Sequence, residues 1–205
     1  MAVLNNRRVL LAGTALWLLA GCDKLPGVGG KPSFKAVDIT GAEYARELSM
    51  PDANGRERSL ADFKGKVTLV FFGYTQCPDV CPTTLAELAS VKKALGAQGE
   101  RVQGVFVTVD PKRDTAEVLK AYMASFDPGF VALRGTDEQT KAAAKNFKVF
   151  YAYAPGKTEG SYTVDHTAGT FVFDAAGRVR LFVRYGTGAE ALSHDLKLLL
   201  AEKPA

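Results

Sequence analysis

An apolar run from Val67 to Phe72 constrains the fold more than any other feature of this sequence. Strands that are apolar at nearly every position are buried on both faces, as in sheets that are covered by helices. A helix pattern follows the run, with a proline suited to a first turn and then apolar residues at helical spacing: Pro82, Leu85, Leu88, Val91 and Leu95. The run therefore predicts the central strand of an α/β protein.

The rest of the chain alternates between strand and helix patterns. The predicted elements are a helical turn at 60–66, a strand at 102–109, a helix at 115–126 capped near Asp114, a helix at 136–147, strands at 170–173 and 179–184, and a last helix with Leu192, Leu196 and Leu199 on one face. The turn at 175–177 predicts an antiparallel pair of strands. The order predicts an α/β fold with a mixed central sheet flanked by helices and an N-terminal β extension. It resembles the thioredoxin fold.

Composition and charge narrow the class of protein. The 205 residues are 47% hydrophobic and 23% charged, which is typical of a soluble globular protein with one domain. Apart from Arg7 and Arg8, 24 basic residues stand against 22 acidic ones. This even balance predicts no nucleic-acid binding, and a monomer is the default expectation.

The first 35 residues have the pattern of an export signal and a tether. Arg7 and Arg8 precede an apolar run from Val9 to Gly21, which is too short to span a membrane comfortably. The run ends in Leu19-Ala20-Gly21-Cys22, which resembles the lipobox of bacterial lipoproteins. We therefore expect a signal peptide at 1–21, a lipidated Cys22 that begins a flexible tether at 22–35, and a folded domain at 36–205. The alternative is a plain signal peptide or an uncleaved anchor.

This interpretation predicts the location of the protein and explains its odd number of cysteines. The chain is expected to be exported and held by its lipid at the bacterial cytoplasmic membrane, facing the periplasm or the cell exterior. If Cys22 carries lipid, Cys77 and Cys81 remain as a close pair in an oxidising compartment. The pair is then a disulfide, a metal site or a redox couple.

Cys77 and Cys81 follow the buried strand and stand at the start of a helix. Backbone N–H groups and the helix dipole favour thiolate there, and a thiolate is both a nucleophile and a soft metal ligand. At this spacing the two Cα atoms lie about 6 Å apart, within the range of a disulfide. An inert disulfide is the alternative, but so short a loop stabilises a fold little.

Three sequence blocks resemble the Sco/SenC family. They are Phe72-Gly73-Tyr74-Thr75-Gln76-Cys77-Pro78-Asp79-Val80-Cys81-Pro82, Val109-Asp110-Pro111-Lys112-Arg113-Asp114-Thr115, and Val164-Asp165-His166-Thr167. The resemblance runs from about Lys35 to the last helix. Redox thioredoxins have two residues between their cysteines, whereas this chain has three, as the Sco family does.

The resemblance implies a membrane-anchored, thioredoxin-like protein that binds one copper ion. By that resemblance the ligands are Cys77, Cys81 and His166, and the role is assembly of CuA, the dinuclear copper centre of cytochrome c oxidase. The implied partners are subunit II of the oxidase or another copper chaperone. The position where thioredoxin-like proteins carry a cis-proline facing the cysteines falls near Ala168, so a residue thought to deter metal binding is missing.

The residue chemistry also favours copper. Thiolates select soft Cu(I), and imidazole suits copper in either oxidation state. Structural zinc normally takes four protein ligands, and the folded domain offers no third cysteine. Three protein ligands leave one coordination position of the metal ion open, which suits a protein that transfers its metal to a partner.

Several residues near these blocks have two interpretations. Asp165 either orients the His166 ring or caps a turn. Asp79 either caps the helix that follows it or raises the pKa of the thiols through its charge. Asp110 either borders the site or belongs to a turn, and we favour the turn. His194 is predicted to lie in solvent, off the apolar face of the last helix.

Two functions use the same pair of sulfurs. The first is a copper chaperone, which is a binding and delivery protein rather than an enzyme. The second is a thiol–disulfide oxidoreductase, in which Cys77 and Cys81 are a catalytic pair that keeps the cysteines of a copper apo-site reduced. A peroxidase-like role ranks last, because the sequence contains no peroxidase triad.

Overall fold

The computed structural model describes residues 33–202, which contain ten strands and four α-helices. The strands are β1 Val37–Asp38, β2 Ser49–Pro51, β3 Glu57–Ser59, β4 Val67–Gly73, β5 Val102–Thr108, β6 Val131–Leu133, β7 Tyr151–Pro155, β8 Tyr162–His166, β9 Gly169–Phe173 and β10 Val179–Arg184. The helices are α1 Val80–Ala94, α2 Ala116–Ala124, α3 Asp137–Phe147 and α4 Ala189–Ala201. Two 3₁₀ segments span Leu60–Phe63 and Gly96–Arg101.

Six strands form the mixed central sheet that the sequence predicts. Their order is β1-β10-β9-β4-β5-β6. Strands β4, β5 and β6 run parallel, whereas β9 pairs antiparallel with both β4 and β10. Two further antiparallel pairs, β2–β3 and β7–β8, lie outside this sheet.

Strand β4 is buried along its whole length, as its apolar run predicts. Its successive side chains point to opposite faces of the sheet. On one face, the ring centroid of Phe72 lies 5.1 Å from that of Phe147 in α3. On the other face, the ring of Phe71 lies 6.2 Å from Phe106 and 5.9 Å from the imidazole of His166. The core is therefore aromatic on both faces of β4, and His166 belongs to the Phe71 face.

The start of α1 agrees with the sequence prediction, whereas the cap of α2 does not. Helix α1 begins at Val80, so Cys81 and Pro82 lie in its first turn. This turn tolerates proline because its N–H groups have no partner within the helix. Helix α2 is capped by Thr115, whose hydroxyl accepts a hydrogen bond from the backbone N–H of Val118. The prediction that Asp114 caps this helix is wrong, because the Asp114 side chain turns into the core.

The predicted signal peptide at 1–21, Cys22 and the predicted tether as far as Pro32 lie outside the described residues. The last tether residues that the structure describes pack against the domain, because the buried Asp195 of α4 accepts backbone hydrogen bonds from them. Lys35 donates to both carboxylate oxygens at 2.8 and 3.0 Å, and Ala36 donates at 2.8 Å. These bonds attach the chain to α4 at the predicted boundary between tether and domain, residues 35 and 36. Within residues 33–202, no helix is long and apolar enough to cross a membrane.

Asp195→Ala should lower the free energy of unfolding by about 1.5–3 kcal/mol, because hydrogen bonds to a buried charged acceptor are lost. The matched control is His194→Ala. This neighbour is 44% exposed and donates from Nδ1 to Asp195, so its loss should cost no more than about 0.5 kcal/mol. Urea unfolding followed by circular dichroism measures both values. Equal costs for the two variants would contradict this role of Asp195.

Candidate metal centre

The two cysteines lie where β4 passes into α1. Cys77 is half-buried in the loop after β4, and Cys81 is fully buried in the first turn of α1. Both are free thiols. The glycine that ends β4 makes room for the buried sulfur, since a Cβ on Gly73 would lie only 2.8 Å from Cys81 Sγ. The sulfur of Cys81 therefore packs against the backbone of Gly73, while the sulfur of Cys77 lies nearer the surface.

His166 comes from the β7–β8 pair, which the sequence analysis did not predict. It is the last residue of β8, opposite Tyr151 of β7, and not part of a loop. Its Nε2 lies 3.2 Å from Cys81 Sγ, and its Nδ1 lies 3.1 Å from the main-chain oxygen of Thr167. A carbonyl oxygen only accepts hydrogen bonds, so Nδ1 donates to Thr167, and this bond directs Nε2 towards Cys81.

Two aromatic rings surround the imidazole. Phe71 and Tyr74 both contact it edge to face, with ring centroids 5.9 and 6.0 Å away. Tyr74 is itself buried. The ring of His166 is therefore held by packing as well as by its hydrogen bond to Thr167.

The ligand atoms of Cys77, Cys81 and His166 all lie within 4.8 Å of one another. Two sulfurs and one imidazole nitrogen form a soft donor set, which suits copper better than magnesium or calcium. Of the three residues, only Cys81 is fully buried, so the site opens to the surface on the side of Cys77 and His166. The arrangement can hold a soft metal ion with one position left for an outside ligand.

The two thiols have opposite acidities. The Cys81 thiol donates to Cys77 and, with His166 and the backbone N–H groups of Asp79 and Cys81, lowers the pKa of Cys77 to about 4 against the opposing effect of burial. The Cys77 sulfur and burial raise the pKa of Cys81 far above its usual value. The thiolate expected at the helix start is therefore found at Cys77 and not at Cys81. A helix start acts on both sulfurs, whereas burial next to a thiolate penalises the second charge.

The carboxylates of Asp165 and Asp79 make no hydrogen bond to Cys77, Cys81 or His166. Asp165 is exposed on the opposite face of β8 from His166, and the carbonyl of Thr167 takes the role of orienting the ring. Asp79 stands at the N-cap position of α1, but the predicted side-chain cap is absent: its carboxylate bonds to no backbone N–H of the helix and accepts from the Thr83 hydroxyl at 3.3 Å instead. The backbone N–H of Asp79 stabilises the Cys77 thiolate and thereby lowers the pKa of Cys77.

Asp110 is fully buried beside the site and does not touch its three ligands. It accepts hydrogen bonds from Arg113 Nε and, at 2.9 Å, from the hydroxyl of Tyr162. The predicted turn is present, because the backbone oxygen of Asp110 accepts a hydrogen bond from the N–H of Asp114 at 3.0 Å, but the side chain of Asp110 is buried as well. Asp110 borders the site through Arg113 and β8.

Asp114 is a site residue that the sequence analysis missed. Its buried carboxylate accepts hydrogen bonds from the Thr75 hydroxyl at 2.6 Å, the Thr75 backbone N–H at 3.1 Å and the Thr108 hydroxyl at 2.5 Å. Burial raises its pKa. Asp114 thus fixes the cysteine loop two residues before Cys77. Its sequence context, after a strand and before a helix, is that of an ordinary cap, so only the position of Thr75 in space reveals this role.

The chain is similar to proteins of one family over most of its length. The sequence model of the SCO1/SenC family matches residues 37–201. A SCO2-like protein of Rickettsia felis is 38% identical over 151 residues, which are 72% of this chain and 74% of that protein. The mitochondrial SCO2 homologue of Homo sapiens is 34% identical over 157 residues, which are 76% of this chain and 59% of the human protein.

Solved structures agree with the sequence match. ScoI of Bradyrhizobium japonicum, solved with copper bound, is 37% identical and superposes with a TM-score of 0.69. The superposition covers 77% of this chain and 99% of that protein. The likeness confirms the thioredoxin-like fold that the order of elements predicts.

In the reduced, metal-free protein, alkylation of Cys77 by iodoacetamide should proceed at a nearly constant rate between pH 8 and pH 5. A thiol whose pKa is about 4 stays a thiolate over this range, whereas an ordinary thiol slows about tenfold for each pH unit below its pKa. Peptide-resolved mass spectrometry measures the rate at Cys77 alone.

Cys81→Ala is the matched control, because it removes the thiol that donates to Cys77. In this variant the pKa of Cys77 should rise, and the rate at pH 5 should fall well below the rate at pH 8. A tenfold fall per pH unit in the unsubstituted protein would contradict the assigned thiolate.

Proposed function

Because the chain belongs to the SCO1/SenC family, we propose that it binds one copper ion through Cys77, Cys81 and His166 and serves cytochrome c oxidase assembly. The observation that carries the proposal is the convergence of two sulfurs and Nε2 within 4.8 Å. The thiolate of Cys77 is already in the deprotonated state that copper needs. The copper-bound relative from Bradyrhizobium japonicum supports the choice of metal.

The donor set supports a delivery role rather than permanent storage. Three protein ligands leave a coordination position free, and the half-buried Cys77 and His166 lie at the open side of the site. A ligand from another protein can therefore approach copper without unfolding the domain. The proposed acceptor is the CuA centre in subunit II of cytochrome c oxidase, and another copper chaperone is the proposed alternative partner.

The second candidate is a thiol–disulfide oxidoreductase that reduces the cysteines of the copper apo-site. The asymmetry of the pair favours it, because Cys77 is a partly exposed thiolate and Cys81 a buried thiol. The Cys77 thiolate would attack a disulfide of the partner and release one partner thiolate. Cys81 would then give its proton to that released thiolate and attack the Cys77 sulfur, which breaks the mixed disulfide and releases the second partner thiolate. The partner disulfide is reduced by two electrons, and Cys77–Cys81 becomes the disulfide.

The reduced protein should bind one copper ion per chain, both as Cu(I) and as Cu(II). Cys77→Ser and Cys81→Ser should abolish tight binding of both ions. His166→Ala should weaken Cu(II) by more than the roughly 10–100-fold that loss of an outer hydrogen-bond partner costs, because a ligand itself is removed. Absorption and electron paramagnetic resonance titrations measure the stoichiometry and the nitrogen coupling of Cu(II).

The control is His194→Ala, which removes the other histidine of the chain and should leave copper binding unchanged. If His166→Ala left the affinity for both ions untouched while the cysteine pair still exchanged disulfides, the oxidoreductase would replace the chaperone as the best interpretation.

We also propose that Cys22 is lipidated and holds the exported domain at the bacterial cytoplasmic membrane. Support comes from Arg7 and Arg8, from the apolar run at 9–21 and from the lipobox-like Leu19-Ala20-Gly21-Cys22. Family membership does not fix the compartment, since the human relative is mitochondrial. The proposal therefore depends on the first 22 residues.

Cys22→Ser should abolish incorporation of labelled fatty acid in a bacterial host and should separate the protein from the membrane fraction. Copper stoichiometry should not change, because Cys77, Cys81 and His166 are intact. Fractionation and mass spectrometry of the N-terminal peptide measure the two effects. A membrane-bound Cys22→Ser protein would point to the uncleaved anchor, and an unlabelled native protein would point to a plain signal peptide.

A further inference from the structure

Arg113 connects the two segments that carry the candidate ligands. Its Nη1 donates to the side-chain oxygen of Gln76 at 3.1 Å, and Gln76 immediately precedes Cys77. The same Nη1 donates to the main-chain oxygen of Tyr162 at 2.8 Å. Tyr162 is the first residue of β8, the strand that ends at His166. One guanidinium group therefore bonds to the cysteine loop and to the strand of the histidine.

The position of the Arg113 side chain is fixed by a buried ion pair. Nε donates to the carboxylate of Asp110, which is fully buried, and the other oxygen of Asp110 accepts from the Tyr162 hydroxyl at 2.9 Å. The side chain of Arg113 is 18% exposed, and its Nη2 is buried without a hydrogen-bond partner among the described residues. Arg113 is therefore part of the packed interior rather than a mobile surface cation.

Aromatic stacking extends this connection to the imidazole. The Cζ of Arg113 lies 3.6 Å from the ring centroid of Tyr162 and 5.6 Å from that of Tyr74. Tyr74 in turn contacts His166 edge to face at 6.0 Å and 90°. A shift of the guanidinium would release Tyr162, and with it the start of β8, and would loosen the packing of Tyr74 on the imidazole.

We propose that Arg113 is a positioning residue that holds His166 against the two cysteines, so that the site binds Cu(II) as well as Cu(I). This inference rests on the proposed copper-binding function. Two thiolates retain Cu(I) even when the imidazole is displaced, whereas Cu(II) needs the nitrogen ligand. The planar guanidinium group of Arg113 donates several hydrogen bonds in fixed directions and stacks on the ring of Tyr162. The ammonium group of a lysine can reproduce neither the set of hydrogen bonds nor the stacking.

Arg113→Lys keeps the positive charge and removes the planar guanidinium group. We expect the affinity for Cu(II) to fall roughly 10–100-fold, as for other outer partners of metal ligands. The affinity for Cu(I), measured by competition with a Cu(I) chelator, should stay within about threefold, because both thiolates remain. The matched control is the exchange Lys112→Arg at the exposed neighbour, which should change neither affinity.

A second readout needs no metal. The chain has two histidines, so the metal-free reduced protein gives two sets of imidazole signals in NMR spectra, one from each ring. The His166 signals should carry ring-current shifts from Phe71 and Tyr74, and Arg113→Lys should reduce these shifts. His194 serves as the internal reference and should not move. If Arg113→Lys fails to fold, Gln76→Ala cuts one of the same bonds at an exposed side chain and should change both readouts in the same direction.

The outcomes separate this inference from the proposed function. Failure of the unsubstituted protein to bind copper would refute the function, while the NMR shifts would still test the positioning role. An equal loss of Cu(I) and Cu(II) affinity would show that Arg113 acts on the cysteines, and it would overturn the inference. Unchanged Cu(II) affinity together with unchanged His166 signals would also overturn it.

Discussion

Strands β4 and β9 pair antiparallel, with Phe71 opposite Thr170, and the rest of the candidate site depends on this pairing. The pairing brings the end of β4, where the cysteine loop begins, next to the start of β9, which follows His166 by three residues. Residues 85 positions apart in sequence thus reach hydrogen-bond distance at Cys81 and His166. Because both strands are buried among aromatic side chains, the core fixes this distance more firmly than a pair of surface loops would.

Hydrogen bonds at the end of β4 give the sulfurs of Cys77 and Cys81 different pKa values. The backbone N–H groups of Asp79 and Cys81 face Cys77, and the thiol of Cys81 faces it as well. Burial then keeps the second sulfur neutral, since two adjacent thiolates in a core would repel each other. The same asymmetry serves either a metal site or a disulfide exchange reaction. His166 distinguishes the metal site from the disulfide exchange reaction, because only the metal site needs an imidazole ligand.

Strands and helices that have a regular apolar pattern could be predicted from the sequence. The apolar runs predicted β4 and β5, and apolar spacing predicted α1 and α4. The β7–β8 pair was missed because its residues are mixed in polarity and only half-buried, so they show no strong alternation. The convergence of Cys77, Cys81 and His166 was expected from family resemblance, because spacing in sequence does not determine which loops meet in space.

The contacts around the ligands were harder to predict than the ligands. Asp165 is adjacent to His166 in sequence, yet strand geometry turns it to the other face. The sequence predicts a turn at Asp110 and a helix cap at Asp114. Each carboxylate is nevertheless buried and accepts hydrogen bonds from residues in distant segments of the chain. Such contacts depend on long-range packing, and a single sequence carries no signal for them.

The unequal burial of the two sulfurs also bears on the kinetics of metal exchange. Cys81 lies at the bottom of the site, beneath Cys77 and against the backbone of Gly73. An acceptor protein can replace only the ligands it can reach, so substitution would begin at Cys77 or His166 and end at Cys81. A copper ion held here would thus leave in a fixed sequence of bond exchanges, with the buried sulfur as its last attachment to the chain.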